Sequence, residues 1–175
     1  MIFVMSVLME NELTVNGISY RVIRLLGKGK GGYSYLVERD GRKAVIKQIH
    51  HEPCDYYSFG NKLEAELNDY EKLQKIGIRI PLMRAVDTDK ERIIKDYIEG
   101  PTVMELVEAG VSVDRYLPQV KDMETKAKAA GLNIDYYPSN FVVKDGLLYY
   151  IDFECNDYDE QWDLEHWGLQ YWMPR

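Results

Sequence analysis

The chain has 175 residues, 46% of them hydrophobic, and a formal net charge of −7. That length buries the core of one domain, with two small lobes at most, and an acidic balance without a basic run argues against nucleic acid as the main partner. Two cysteines, Cys54 and Cys155, are too few and too far apart to form a disulfide framework, and they point to a reduced, cytoplasmic chain.

Residues 1–9 are apolar but lack a basic flank and run into Glu10 and Glu12, so neither a membrane span nor a signal peptide is expected, and Met5 and Met9 are alternative starts. The first structural signal is a hairpin, with strands over 13–15 and 18–26 flanking Asn16-Gly17, a pair suited to a type I′ turn. Gly27, Gly29 and Gly32 then form GxGxxG within LLGKGKGGYSYLV. A dinucleotide fold would need a helix after these glycines, whereas residues 33–38 read as a strand. In a strand–turn–strand setting, missing side chains let backbone N–H groups approach phosphate oxygens. After the turn Asp40-Gly41 comes KAVIKQI, a strand that presents Lys47 behind Ala44, Val45 and Ile46. His50, His51 and Cys54 cluster like metal ligands, but a fourth is missing and the segment reads as a loop leading to a helix.

That helix is expected over 61–75, with Leu63, Leu67, Tyr70 and Leu73 at helical spacing and Gly77 ending it. A strand is expected to start in the IGIRIP segment at 78–82, an exposed turn over 87–92 and a strand over 93–98 leading into Glu99-Gly100-Pro101. A short helix near 103–109 and a longer one near 113–130 follow, closed by Gly131. Residues 133–152 read NIDYYPSNFVVKDGLLYYID. Pro138 keeps Asp135 and Asn140 on an irregular loop, and a hairpin over 141–151, turning at Lys144-Asp145-Gly146, is expected to return Asp152 beside Asn140. A carboxylate next to a carboxamide, both hard oxygen donors, suits Mg²⁺ on a phosphate chain, and Asp135 remains as a base.

Five motifs in this order, over residues 25–171, resemble the protein-kinase-like superfamily. The resemblance implies an α+β, bilobal protein-kinase-like fold with a truncated C-terminal lobe, the first lobe over about 10–98 and the reduced second over 99–175, with ATP between them. It implies that Gly27, Gly29 and Gly32 cover the nucleotide and that Lys47 addresses its α- and β-phosphates. Glu64 and Glu66 compete as partner to Lys47, and counting back from IGIRIP favours Glu66. The carbonyl of Asp96 and the N–H of Ile98 would meet the adenine edge, Asp135 would be the catalytic base or hydroxyl-orienting group, and Asn140 with Asp152 would hold Mg²⁺.

The chain departs from that pattern at three places. Asn133 stands for the catalytic-loop histidine, Tyr137 for a lysine near the γ-phosphate and Glu154 for the glycine after Asp-Phe. Asp-Phe-Glu is similar instead to choline kinases and aminoglycoside phosphotransferases. WDLEHWGLQYW resembles the helix that anchors the catalytic loop, with Asp163 accepting from the loop's N–H groups. Only eleven positions separate Asp152 from Asp163, too few for a long activation segment or a peptide platform. Trp162, Trp167, Tyr171 and Trp172 read first as packing and second as a platform for a cationic substrate. The expected function is ATP-dependent phosphoryl transfer to an acceptor hydroxyl, with Ser/Thr protein kinase as the nearest family name. Small-molecule transfer and a nucleotide-binding pseudokinase are the alternatives, with neither nucleic acid nor membrane as partner.

Overall fold

The computed structural model describes residues 11–52 and 61–174, so Cys54 and the apolar opening stretch lie outside the described residues. Contacts divide the chain into two compact units, the first comprising Met1–Leu63 and Leu82–Tyr97 and the second Glu64–Pro81 and Ile98–Arg175.

Among the described residues, the strands of the first unit form one antiparallel sheet. Strands β1 (Glu12–Val15), β2 (Ile18–Lys28), β3 (Gly32–Arg39) and β4 (Arg42–Ile49) pair in succession, followed by β6 (Arg92–Asp96) and then β5 (Met83–Asp87). Two of its turns are dictated locally. Asn16-Gly17 and Asp40-Gly41 all take positive φ, from 50° to 80°, which asparagine, aspartate and glycine tolerate best. The sheet curls until its outer strands meet: Asn16 N donates to Asp87 Oδ2 at 2.8 Å and Arg92 Nη1 to Thr14 O at 2.9 Å. Leu13, Val15, Val37, Ile46 and Ile94 fill the space enclosed. The strand expected at 78–82 begins at Met83 instead, because Ile78 N is taken by Leu73 O in the capping of the preceding helix, where Gly77 has φ 79°.

Among the described residues, the second unit contains three α-helices and two small two-stranded sheets, one of them a hairpin. Helix α1 (Lys62–Lys75) opens at the boundary of the units. Helix α2 (Val103–Glu108) is capped by Thr102, whose hydroxyl accepts from Glu105 N. The long helix expected at 113–130 is a single 3₁₀ turn, Asp114–Tyr116, followed by α3 (Leu117–Ala129), with Pro118 in its first turn where its missing N–H costs nothing. Strand β7 (Leu132–Ile134) pairs with β10 (Cys155–Asp157), and β8 (Phe141–Lys144) pairs with β9 (Leu147–Tyr150) through an Asp145-Gly146 turn. Gln119 on α3 clamps that hairpin, accepting from Leu148 N and donating to Gly146 O. No α-helix forms over WDLEHWGLQYW. The segment is two 3₁₀ turns, Glu160–Trp162 and Gly168–Trp172, because Asp163 takes the capping position in the middle of the run. Among the described residues no helix is long and apolar enough to cross a membrane.

Candidate active site

In the first unit, the glycine turn is held by backbone and imidazole bonds. Gly29 N donates to Gly32 O, His50 N donates to Gly31 O, and His50 Nε2 lies 2.9 Å from Gly29 O. The imidazole therefore supports the loop, and no three His, Cys, Asp or Glu among the described residues are grouped to hold a metal. The glycines differ in their reasons. A Cβ on Gly32 would lie 2.4 Å from Gln48 O, so close pairing of β3 on β4 demands glycine there, whereas a Cβ on Gly27 would meet nothing within 4 Å. Lys47 sits opposite Ser34 in the β3–β4 register, and its ammonium lies 3.9 Å from where a Cβ on Gly31 would be. The half-buried lysine is thus directed at the bare turn. Asp96 ends β6, where its carboxylate takes both Arg84 Nε and Nη2, at 2.6 and 2.8 Å.

In the second unit, Asp135 and Asn140 lie on the loop between β7 and β8. Asp135 Oδ1 accepts from Tyr137 N at 3.1 Å and Asn140 N donates to Tyr137 O at 3.0 Å, so the loop is a compact turn around Pro138. Ile151 N donates to Asn140 O at 2.9 Å, which extends the β8–β9 ladder by one step and brings Asp152 to the residue next to Asn140's partner. Beyond Asp152, Phe153 is buried against the Tyr70 ring of α1, 4.8 Å between centroids, and Cys155 N donates to Asp69 on the same helix. Burial, with the Asp69 charge second, pushes the Cys155 thiol up to about 12, so it is an unreactive core thiol. On α1 burial separates the two glutamates: Glu66 is 9% exposed and Glu64 is on the surface.

The three departures from the kinase pattern have definite surroundings. Asn133 is buried and gives its Nδ2 to Asp159 O at 2.8 Å, while Glu154 is exposed. Tyr137 packs its ring beside Tyr171 and Trp167, and Trp167 packs on the half-exposed Trp162. Trp172 is instead core, with its indole N–H on Tyr136 O. Asp163 does not reach the 135–140 loop. Its carboxylate accepts from His166 N at 2.7 Å, from the His166 ring and from the Tyr158 hydroxyl. Burial alone would raise Asp163, but those hydrogen bonds outweigh it and hold the carboxyl below its usual range.

Two residues outside the sequence-based expectations hold segments of the second unit. Glu124 on α3 accepts from Leu164 N and Glu165 N, anchoring the closing segment. Tyr150 is wholly buried, accepts from Asp135 N at 3.0 Å and donates to Glu154 O at 2.7 Å. Strand alternation carried the only signal for it, since Leu148 and Tyr150 must share the inward face.

No family model matches the chain. Among curated proteins, it is 29% identical over 147 residues to "Putative serine/threonine-protein kinase YrzF" of Bacillus subtilis, covering 81% of this chain and 64% of that protein. It is 29% identical over 92 residues to the KEOPS complex subunit Bud32 of Pyrococcus abyssi, covering 51% and 42%. Among solved structures, the Mycobacterium tuberculosis PknI kinase domain superposes with a TM-score of 0.52 at 20% identity, covering 82% of this chain and 61% of that one. Sequence relatives and fold together support the protein-kinase-like superfamily, and the architecture is a kinase-like α+β fold. The chain spans less than two-thirds of each of these relatives.

Proposed function

We propose that the chain is an ATP-dependent phosphotransferase that moves the γ-phosphoryl group of Mg-ATP to an acceptor hydroxyl. The observation that carries this reading is the bond from Ile151 N to Asn140 O, which sets Asn140 and the residue before Asp152 opposite each other at the open end of the β8–β9 hairpin, beside the preceding loop, where Asn140 Nδ2 donates to Asp135 O at 3.4 Å. One carboxylate and one carboxamide fit Mg²⁺, which favours oxygen donors and takes its remaining ligands from water and phosphate. Mg-ATP supplies the transferable phosphoryl group and the charge that neutralises it. In this reading Asn140 and Asp152 hold the metal, and Asp135 orients the acceptor hydroxyl and takes its proton. Lys47, whose ammonium lies 3.9 Å from where a Cβ on Gly31 would be, binds the α- and β-phosphates of a nucleotide covered by Gly27, Gly29 and Gly32, with Glu66, preferred over Glu64 by counting back from IGIRIP, as its charge partner. The Asp96 carbonyl and Ile98 N–H address adenine.

Acceptor choice follows from the surface beside the loop. The half-exposed rings of Tyr137, Trp162, Trp167 and Tyr171, with the exposed carboxylates Asp157, Asp159 and Glu160 nearby in sequence, favour a small cationic hydroxyl compound over a folded protein. The deciding experiment is radiolabelled ATP turnover against a panel of small hydroxyl compounds and mixed proteins, beside a no-acceptor control. Label on a small cationic alcohol is the expected result, and a labelled protein band alone would end the small-acceptor reading. Mg-ATP at 100 times its dissociation constant should stabilise the fold by ~2.7 kcal/mol. For a chain of this size the corresponding melting shift is roughly 5 to 10 °C. A shift without turnover under any acceptor would favour the pseudokinase, a reading to which the use of Asn133 and Tyr137 for packing lends support.

A further inference from the structure

The hydroxyl of Tyr150 touches both segments assigned to chemistry in the second unit. It accepts from Asp135 N at 3.0 Å and donates to Glu154 O at 2.7 Å, two residues beyond Asp152. Its own backbone leaves it little freedom. Tyr150 N donates to Arg79 O, its Cα is paired with Phe141, and its ring packs on Phe141 at 5.2 Å in a core closed by Trp172.

Neither end of this link is held by strand pairing. Asp135 follows β7, and Asp152 to Glu154 lie between β9 and β10. Phenylalanine at 150 would fill the same space and leave both the part-buried Asp135 N–H and the Glu154 carbonyl without this partner. We propose that the Tyr150 hydroxyl is a positioning group that fixes the backbone of Asp135 relative to the Asp152–Glu154 turn, and so sets the spacing of the hydroxyl-orienting carboxylate and the metal-holding one. The catalytic half of this inference rests on the phosphotransferase reading above, whereas the mechanical half does not.

The test is Tyr150→Phe, with Tyr149→Phe as control, in the full chain, read by amide hydrogen exchange and by steady-state kinetics. In the wild type, the Asp135 amide should be protected like those of β8 and β9. In Tyr150→Phe its exchange should rise at least about tenfold. The turnover number should fall about tenfold, the scale of one buried hydrogen bond, with the KM for Mg-ATP within about threefold. Tyr149→Phe should alter neither. An Asp135 amide that exchanges in the wild type as freely as that of the exposed Asp145 would overturn the clamp without any variant. Unchanged exchange in Tyr150→Phe, or a turnover number within about twofold of wild type, would overturn it as well. A wild type without turnover would instead end the phosphotransferase reading, leaving the exchange measurement to decide whether the hydroxyl holds the loop.

Discussion

Lys47 in the first unit and Asp135 in the second are each placed by different means. Lys47 is positioned by backbone register: the β3–β4 ladder runs without interruption from Gly32 opposite Ile49 to Arg39 opposite Arg42, and each step fixes the next. Asp135, Asn140 and Asp152 sit where ladders stop: Asp135 bonds individually with Tyr137 and Tyr150, Asn140 with Tyr137 and Ile151, and the Tyr150 hydroxyl takes the carbonyl of Glu154 two residues past Asp152. Register tolerates surface substitution and is lost only by breaking the strand, whereas a loop held by individual bonds can be altered one bond at a time. The first unit is therefore the stiff half of the proposed chemistry and the second the tunable half.

The largest effect expected from breaking this contrast is catalytic. Asp135→Asn should lower turnover by roughly 10²- to 10⁴-fold while leaving Mg-ATP affinity nearly intact, and Asp152→Asn should weaken Mg-ATP binding itself. Calorimetric titration beside initial rates separates the two, and loss of nucleotide binding in Asp135→Asn would reverse the assigned roles.

Next in size are two glycines, one in each unit, replaced by alanine. A Cβ on Gly100 would lie 2.0 Å from Val143 O, and one on Gly32 lies 2.4 Å from Gln48 O, both backbone atoms that cannot rotate away. Each should cost about 3 kcal/mol in urea unfolding, whereas Gly27→Ala, in open space, should cost under about 1 kcal/mol. Equal costs for Gly27 and Gly32 would mean that the close β3–β4 approach is not what selects glycine.

A smaller effect separates the two glutamates of α1. Truncating buried Glu66 to alanine should destabilise by about 1–2 kcal/mol, and truncating exposed Glu64 should change stability by less than about 0.5 kcal/mol. Chemical unfolding of both variants checks the order.

The smallest and most specific expectation is a pH dependence. The hydrogen bond to Asp163 raises the His166 imidazole above its ordinary 6.5, and Asp163 is held below 3.8 by the balance described above. A raised base contributes stability that is complete below pH 6.5 and is lost as pH rises through its folded value; a lowered acid contributes stability present above pH 3.8 and lost as pH falls through its folded value. The urea midpoint should therefore decline as pH is raised above 6.5, and in His166→Ala that decline should flatten. An identical alkaline decline in both proteins would show that His166 is not its source.

The hairpins of both units were legible in the residues themselves because hairpin chemistry is local. Asn16-Gly17, Asp40-Gly41 and Asp145-Gly146 set their turns through positive φ, and alternation on the strands they join then decides which side chains face inward. The hairpin that returns Asp152 toward Asn140 follows from such short-range rules, whereas the fold class and the place of Lys47 near the glycine turn came from the resemblance of five ordered motifs to the protein-kinase-like superfamily. Tertiary structure decided what those rules do not reach. It grouped most of α1 with the second unit, made Glu66 rather than Glu64 the buried carboxylate, and turned the expected closing helix into two 3₁₀ turns around Asp163. It also supplied the Tyr150 link, which joins residues fifteen positions apart through an oxygen that no local pattern marks as more than the end of an inward ring. Turns and alternation are properties of neighbouring residues, whereas burial and cross-chain hydrogen bonds depend on which distant segments arrive at the same place.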